Sequence, residues 1–173
     1  SIATKNMREA FSLLKKANRF TDLVEIRLEK IIDLDLEKLL RHPRPKVIIT
    51  NRANGRYPNS ERFGILLEAI KLGAEFVDIE IESGKAVINK FKNCISEEKS
   101  KTKLILSYHN FNETPKHLSS IYSQIKSQNA DIIKIAVYAN DVTDNVKIFK
   151  LLERVEKENI KLAAFCLGEK GEI

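Results

Sequence analysis

The most constraining feature of this chain is a regular alternation of short apolar segments with stretches whose apolar residues recur at helical spacing. Strand-like segments start about 28 residues apart, at 22–28, 47–52, 77–82, 104–109, 131–137 and 161–167. Helical spacing is found at about 5–18, 34–40, 59–72, 84–99, 114–128 and 141–159. Thr114 followed by Pro115 predicts the start of the fifth helix. This alternation predicts a parallel α/β sheet with right-handed crossovers.

Two parallel architectures fit this alternation, the open doubly wound sheet and the closed (β/α)8 barrel. The chain has only six glycines and lacks the GxGxxG and GxxxxGK[ST] turns of nucleotide-binding doubly wound folds. Charged and titratable residues instead fall at or near the carboxyl ends of the strands, where barrels carry their chemistry. These residues are Arg27, Arg52, Glu82, His109 and, slightly deeper, Lys134. The sequence therefore predicts a (β/α)8 TIM barrel.

The predicted domain covers residues 1–173 and holds about six complete βα units. A full barrel takes about 200 to 250 residues or more. This sequence starts at Ser1 and ends just beyond a strand, at Gly171-Glu172-Ile173. We therefore expect a single incomplete barrel domain, in which most of the first strand and everything after the seventh strand are absent.

Lys134 stands alone in an apolar strand-like run, residues 131–137. A buried charge without a partner is costly, and burial favours the neutral amine. A neutral lysine amine can attack a carbonyl carbon and form a Schiff base. The segment by itself leaves another interpretation open, in which the run is an edge strand and Lys134 points to water.

Several short motifs, in order along the chain, resemble one family. They are Glu25-Ile26-Arg27, Thr50-Asn51-Arg52, Asp78-Ile79-Glu80-Ile81, Ser107-Tyr108-His109-Asn110-Phe111 and Ile133-Lys134-Ile135-Ala136. The chain resembles the type I 3-dehydroquinate dehydratases, lyases of the shikimate pathway that are (β/α)8 barrels with a Schiff-base lysine. The resemblance runs from Ser1 to Ile173, and several ordered motifs are far more specific than any single tripeptide.

The resemblance implies a mechanism and a set of site residues. Lys134 would condense with the C3 ketone of 3-dehydroquinate, and the iminium would acidify the neighbouring C2 proton. His109 would take that proton and then protonate the departing C1 hydroxyl, because imidazole titrates near neutral pH. Glu25, Arg27 and Arg52 match family positions that bind the hydroxyl and carboxylate groups of the substrate. No metal or other cofactor is implied.

Other interpretations of the charged residues stay open. Glu25 and Arg27 could form only an ion pair inside the barrel. Asp78, Glu80 and Glu82 are expected to be interior hydrogen-bonding groups rather than the acid–base pair.

The chain departs from the family pattern at two places. Arg56 stands where the family commonly has a glutamate beside the catalytic histidine, and a cation there would disfavour the imidazolium. Lys170-Gly171-Glu172-Ile173 matches the start of a family stretch whose following arginine clamps the substrate carboxylate. Two alternatives to the dehydratase follow, a different Schiff-base barrel lyase such as an aldolase, and a catalytically impaired homologue.

Composition narrows the cellular setting and the partners. Cys94 and Cys166 make no disulfide framework, which favours a cytoplasmic protein. No apolar run reaches the roughly 18 residues of a membrane span. The net charge of +6 comes from scattered lysines without a nucleic-acid motif. We therefore expect a small-molecule substrate, no nucleic acid, no membrane and no metal. A homodimer and a monomer both stay open as oligomeric states.

Overall fold

The structure, a computed structural model, describes residues 1–53 and 55–172 and is built from alternating helices and strands. The α-helices are α1 Met7–Ala17, α2 Leu36–Arg41, α3 Asn59–Lys71, α4 Lys85–Glu97, α5 Leu118–Lys126 and α6 Asp144–Glu156. The strands are β1 Leu23–Arg27, β2 Lys46–Thr50, β3 Phe76–Glu80, β4 Lys103–Asn110, β5 Ile132–Tyr138 and β6 Leu162–Leu167. Short 3₁₀ helices follow at Leu28–Lys30, Ile81–Ser83 and Glu169–Gly171. The predicted succession of strands and helices is confirmed.

The predicted start of the fifth helix is wrong. Helix α5 begins at Leu118, with His117 as its N-cap, and not at Thr114. The Thr114 hydroxyl instead donates a hydrogen bond of 2.8 Å to the carbonyl oxygen of Tyr138, at the end of β5. A tertiary partner for the hydroxyl therefore replaces the capping role that the local sequence suggested.

Two helix starts show how local sequence sets the element bounds. The Asn6 side chain accepts a hydrogen bond of 2.9 Å from the backbone nitrogen of Glu9, which caps α1. Asp35 caps α2 in the same way, at 2.9 Å from the backbone nitrogen of Lys38. In both cases a short polar side chain satisfies a backbone donor that the helix leaves without an internal partner.

The described chain divides into two compact units. The first comprises Ser1–Ile79 with Asn89–Lys103, and the second comprises Glu80–Ile88 with the chain from Leu104 onward. The last residue of β3 and the start of α4 thus fall in the second unit.

In the first unit, β1, β2 and β3 form a parallel ladder. Val24 is aligned with Val47, and Ile26 with Ile49, which in turn is aligned with Val77. These apolar side chains are all buried, together with Leu14 of α1, Leu39 of α2, and Leu66 and Ile70 of α3. Burial of each side chain of this size stabilises the fold by about 1.5–3 kcal/mol. On the other side of β1, Ile2 makes a parallel bridge with Ile26.

In the second unit, β4, β5 and β6 form another parallel ladder. Leu106 is aligned with Ile133, and Ile133 with Leu162; Ile135 is aligned with Ala164. Helix α5 packs against β5, and α6 packs against β6. The buried residues Leu106, Ile133, Ile135, Val137, Ile121, Ile125, Ile148 and Leu151 make up much of this core.

A buried carboxylate, Asp144, holds the loop that follows β5. Its Oδ2 accepts hydrogen bonds from the backbone nitrogens of Asn140 (2.9 Å) and Asp141 (3.1 Å). Its Oδ1 accepts one of 2.7 Å from Lys147 Nζ, which also lies 3.4 Å from the carbonyl oxygen of Thr114. The hydrogen bond from Lys147 is the main reason that the pKa of Asp144 lies below its ordinary value, and the backbone donors act in the same direction.

The segment after β6 is tied to the same loop. The Asn145 side chain donates a hydrogen bond of 2.7 Å to the carbonyl oxygen of Lys170. Lys170 Nζ in turn donates one of 2.7 Å to the carbonyl oxygen of Asn140. The loops at the carboxyl ends of β4, β5 and β6 are therefore held by one connected set of hydrogen bonds.

Across the described ranges, none of the helices combines the length and the apolar character that a membrane crossing requires.

Replacing Asp144 by asparagine should destabilise the protein near neutral pH and have little effect in acid. A carboxylate whose pKa is lowered by folding stabilises the fold above its unfolded pKa, and this contribution is lost as the pH falls through the folded value. We expect Asp144→Asn to lose about 1–3 kcal/mol of unfolding free energy at neutral pH. The two stability curves should approach each other as the pH falls below 3.8, the ordinary value, toward the lowered pKa of the folded state.

Urea unfolding between neutral pH and about pH 3 measures this difference. Asp22→Asn, at an exposed carboxylate, is the matched control. A stability loss that stays constant over the whole pH range would contradict the explanation.

Candidate active site

The first unit gathers charged side chains on one face of its ladder. Arg27 is aligned with Thr50, and Thr50 with Asp78, so these residues share a face; Glu25 lies two residues before Arg27 and shares it too. The opposite face holds the buried valines and isoleucines described above. Strand alternation thus places the polar groups apart from the core.

Arg52 connects two carboxylates of this face. It follows β2, and its Nη1 and Nη2 donate hydrogen bonds of 3.2 Å and 2.8 Å to the two oxygens of Asp78. Nη2 also lies 3.7 Å from Glu25 Oε1. The Asp78 side chain is fully buried, whereas those of Arg52 and Glu25 are 15% and 22% exposed. The two-pronged pairing with Asp78 fixes the orientation of the guanidinium group, so Arg52 and Glu25 are held together at the edge of the ladder.

Glu29 is a charged residue of this face that is not among the residues predicted from the sequence. It lies in the 3₁₀ helix after β1, and its Oε1 accepts hydrogen bonds from Nε and Nη2 of Arg27, each at 2.7 Å. The alternative of a simple ion pair between Glu25 and Arg27 therefore gives way to two pairs, Glu25 with Arg52 and Glu29 with Arg27. In the sequence, the spacing Glu-x-Arg-x-Glu at residues 25–29 indicates that Glu29 can reach Arg27. The predicted strand ended at residue 28 and therefore excluded Glu29.

In the second unit, Lys134 and His109 lie on the same face of neighbouring strands. Lys134 of β5 is aligned with Ser107 of β4, and His109 is two residues further along β4, aligned with Ala136. Both Lys134 and His109 are half-buried, and Ser107 is fully buried. The amine and the imidazole therefore project from adjacent strands on the same face, and His109 lies two residues further along β4 than the residue aligned with Lys134.

The pairing of β5 decides between the two interpretations of Lys134. β5 is hydrogen-bonded to β4 on one side and to β6 on the other, so the edge-strand alternative is wrong. Lys134 is flanked in sequence by Ile133 and Ile135, whose side chains point to the opposite face and are buried. Its aligned neighbour on β6 is Ala163. Both aligned neighbours on the lysine face, Ser107 and Ala163, therefore carry small side chains.

The imidazole of His109 has an aromatic neighbour. The rings of His109 and Phe111 stack with their centroids 5.8 Å apart and an interplanar angle of 18°. Phe111 is 68% exposed. Stacking of the two rings favours one orientation of the imidazole.

Arg56 lies in the loop after β2 and is exposed. Its Nη1 donates a hydrogen bond of 3.1 Å to the carbonyl oxygen of Ile32. The guanidinium group thus has a backbone partner within its own unit.

The two thiols are poor alternatives to Lys134 as a nucleophile. Both cysteines are free. Burial raises the pKa of the Cys166 thiol, and burial together with Glu98 raises that of Cys94. A raised pKa lowers the thiolate fraction at neutral pH, and the thiolate is the reactive form. Residues 1–53 and 55–172 also contain no group of three His, Cys, Asp or Glu side chains placed to hold a metal ion.

Comparison with known proteins identifies the family. The family model of type I 3-dehydroquinase matches residues 1–173. The 3-dehydroquinate dehydratase of Methanocaldococcus jannaschii is 33% identical over 183 residues, covering 99% of this chain and 79% of that protein. The enzyme of the same name from Desulfotalea psychrophila is 31% identical over 159 residues, covering 88% of this chain and 70% of that protein.

Solved structures agree on the fold. The 3-dehydroquinate dehydratase of Geobacillus kaustophilus superimposes with a TM-score of 0.86 at 21% identity, covering 98% of this chain and 73% of that one. The type I enzyme of Clostridium difficile gives 0.85 at 20% identity, with 98% and 75% covered. The predicted α/β barrel fold class is confirmed. With the family model matching from end to end, this chain belongs to the type I 3-dehydroquinase family.

Proposed function

We propose that this protein dehydrates 3-dehydroquinate to 3-dehydroshikimate in the shikimate pathway, through a Schiff base on Lys134. Membership of the family and the names of its relatives support the reaction and the pathway. One observation supports the residue assignment, the placement of Lys134 and His109 on the same face of adjacent strands. A nucleophilic amine and a proton-transfer group are the two parts that this chemistry needs.

The amine of Lys134 attacks the C3 ketone, and loss of water gives an iminium. The positive nitrogen withdraws electrons from C2, so the C2 proton can be removed and the electron pair forms an enamine. The enamine then expels the C1 hydroxyl, which leaves as water after taking up a proton. Hydrolysis of the conjugated iminium returns the free amine. One water is released in imine formation and one is consumed in hydrolysis, so the net reaction eliminates one molecule of water.

His109 moves the protons in this scheme. Neutral imidazole removes the C2 proton, and the resulting imidazolium donates a proton to the departing hydroxyl, so the histidine returns to its starting form within each cycle. An unperturbed imidazole titrates near pH 6.5, which suits both steps at neutral pH. The stacked ring of Phe111 supports this role because it limits rotation of the imidazole.

Glu25, Arg27 and Arg52 are the proposed substrate-binding residues. 3-Dehydroquinate carries one carboxylate and several hydroxyl groups, for which a guanidinium donor and a carboxylate acceptor are suitable partners. The Arg27 side chain is 37% exposed, and its bonds to Glu29 use Nε and Nη2. Nη1 takes no part in those bonds, which supports its use for the substrate.

The free thiols support a reducing, cytoplasmic setting.

Lys134 should be trapped as a covalent adduct. The full-length protein incubated with 3-dehydroquinate and borohydride should gain the mass of the reduced substrate on the peptide that contains Lys134, because reduction makes the imine permanent. Lys134→Met should abolish labelling, and Lys161→Met, which removes an exposed lysine just before β6, should not. Labelling of a different lysine would refute the assignment.

His109→Ala should slow turnover while sparing imine formation. General acid–base groups contribute about 10²–10⁴-fold, and a group that acts twice falls at the upper end of this range. Stopped-flow measurement of dehydration gives the rate, and borohydride trapping gives the imine. His117→Ala, at the exposed N-cap of α5, is the matched control. Near-normal turnover of His109→Ala would assign the proton transfer to another group.

A further inference from the structure

We propose that Glu29 is a positioning residue, which orients the guanidinium group of Arg27 for the substrate and links it to the backbone of Arg52. This inference rests on the proposed function, in which both arginines bind 3-dehydroquinate. The reaction itself does not use the Glu29 carboxylate, and the evidence for its role is the geometry of its contacts in the first unit.

The two members of the Glu29–Arg27 ion pair differ in burial. The Glu29 side chain is 1% exposed, whereas that of Arg27 is 37% exposed. A carboxylate shielded from water is costly unless it is paired, so the fold holds Glu29 against its donors. Because Nε and Nη2 of Arg27 both donate to the same oxygen, the plane of the guanidinium group is determined by the buried partner. The opposite edge of that group is then oriented before any ligand arrives.

The second oxygen of Glu29 reaches the loop after β2. Oε2 accepts a hydrogen bond of 3.3 Å from the backbone nitrogen of Arg52. One carboxylate therefore contacts the side chain of one proposed substrate-binding arginine and the main chain of the other. Glu29 thus contacts the main chain of Arg52, and Asp78 binds the guanidinium group at the other end of the same residue.

Gly55 shows how closely that loop passes over Glu29. A Cβ at residue 55 would overlap Glu29 Cβ and lie 2.6 Å from Glu29 Cγ. These atoms are near the backbone and cannot move aside as the end of a long side chain could. Further along the loop, Arg56 bonds the carbonyl oxygen of Ile32. The loop is thus held on the segment after β1, and a side chain at residue 55 would displace Glu29.

The role predicts an effect on substrate binding rather than on the chemical step. Without the carboxylate, Arg27 keeps its charge but must be ordered when the substrate binds. Ordering one flexible side chain weakens binding by about three- to tenfold. Glu29→Gln should therefore raise KM by that factor and leave kcat within about twofold. The pH profile of kcat should be unchanged, because the proposed proton-transfer group His109 is not altered.

The test is a double-mutant cycle in the full-length enzyme, with 3-dehydroquinate as substrate. KM and kcat are measured for the wild type, Glu29→Gln, Arg27→Ala and the double variant. We expect both single variants to raise KM, and Glu29→Gln to add nothing further once Arg27 is removed. Glu37→Gln removes a carboxylate from an exposed pair with Arg41, and this control should leave KM unchanged.

A second variant covers the case in which Glu29→Gln does not fold. Gly55→Ala keeps every charge but displaces Glu29, and it should raise KM in the same direction with kcat nearly unchanged. Thermal unfolding of each variant shows whether the assayed enzyme is folded.

The outcomes separate this inference from the proposed function. If Arg27→Ala raises KM while Glu29→Gln and Gly55→Ala do not, the proposed function stands and the role of Glu29 is overturned. The role is also overturned if Glu29→Gln raises KM equally in the Arg27→Ala background. A normal KM in Arg27→Ala would overturn the substrate-binding role of Arg27, and the role of Glu29 with it. The proposed function itself would be overturned if the wild-type enzyme showed no dehydratase activity and borohydride trapped no adduct on Lys134.

Discussion

Strand alternation in the two parallel ladders is the constraint on which the other features depend. Paired strands in register place aligned residues on the same face, and successive residues on opposite faces. In each unit one face is filled with Val, Ile and Leu, which supply the core. The other face is left for polar groups, Glu25, Arg27 and Asp78 in the first unit and Ser107, His109 and Lys134 in the second. The same rule that buries the core thus places the candidate site residues of each unit together on one face of its own ladder.

Charges on the polar face of the first unit are arranged as pairs with one deeply buried member. Asp78 is buried beneath Arg52, and Glu29 is buried beside Arg27. In each pair the carboxylate is the shielded partner and the guanidinium group is the more exposed one. Such an arrangement sets the orientation of each guanidinium group from a buried partner and leaves the cation as the more exposed member of the pair.

In the second unit, hydrogen bonds organise the loops around the lysine strand. Asp144, Asn145 and Lys170 connect the loop after β5 with the segment after β6, and Thr114 connects the loop after β4 with the end of β5. Loops at the carboxyl ends of parallel strands commonly carry function in barrels. Side-chain to main-chain hydrogen bonds thus hold these loops at the carboxyl ends of the strands that carry His109 and Lys134.

Much of this protein could be predicted from its sequence. The periodicity of apolar residues predicted the number, order and approximate bounds of the strands and helices. It does so because an element that buries one face carries apolar residues at the regular spacing of that face. Lys134 stood out for the same reason, as a charge in an apolar run, and the ordered motifs identified the family. Local signals were weaker where a distant partner competes. Thr114 has the sequence of a helix cap, yet its hydroxyl binds Tyr138 O, 24 residues away.

Only the tertiary structure decided which charges meet and which strands are interior. Whether Lys134 lies on an edge strand or on a central strand depends on the pairing of β5 with both β4 and β6. The sequence of one segment does not specify which strands pair with it. The partners of Arg27 and Arg52 likewise depend on a 3₁₀ helix after β1 and on the register of β3, which bring Glu29 and Asp78 into reach. Long side chains can reach several partners, and the choice among them is made by backbone placement, which forms only when the whole ladder is assembled.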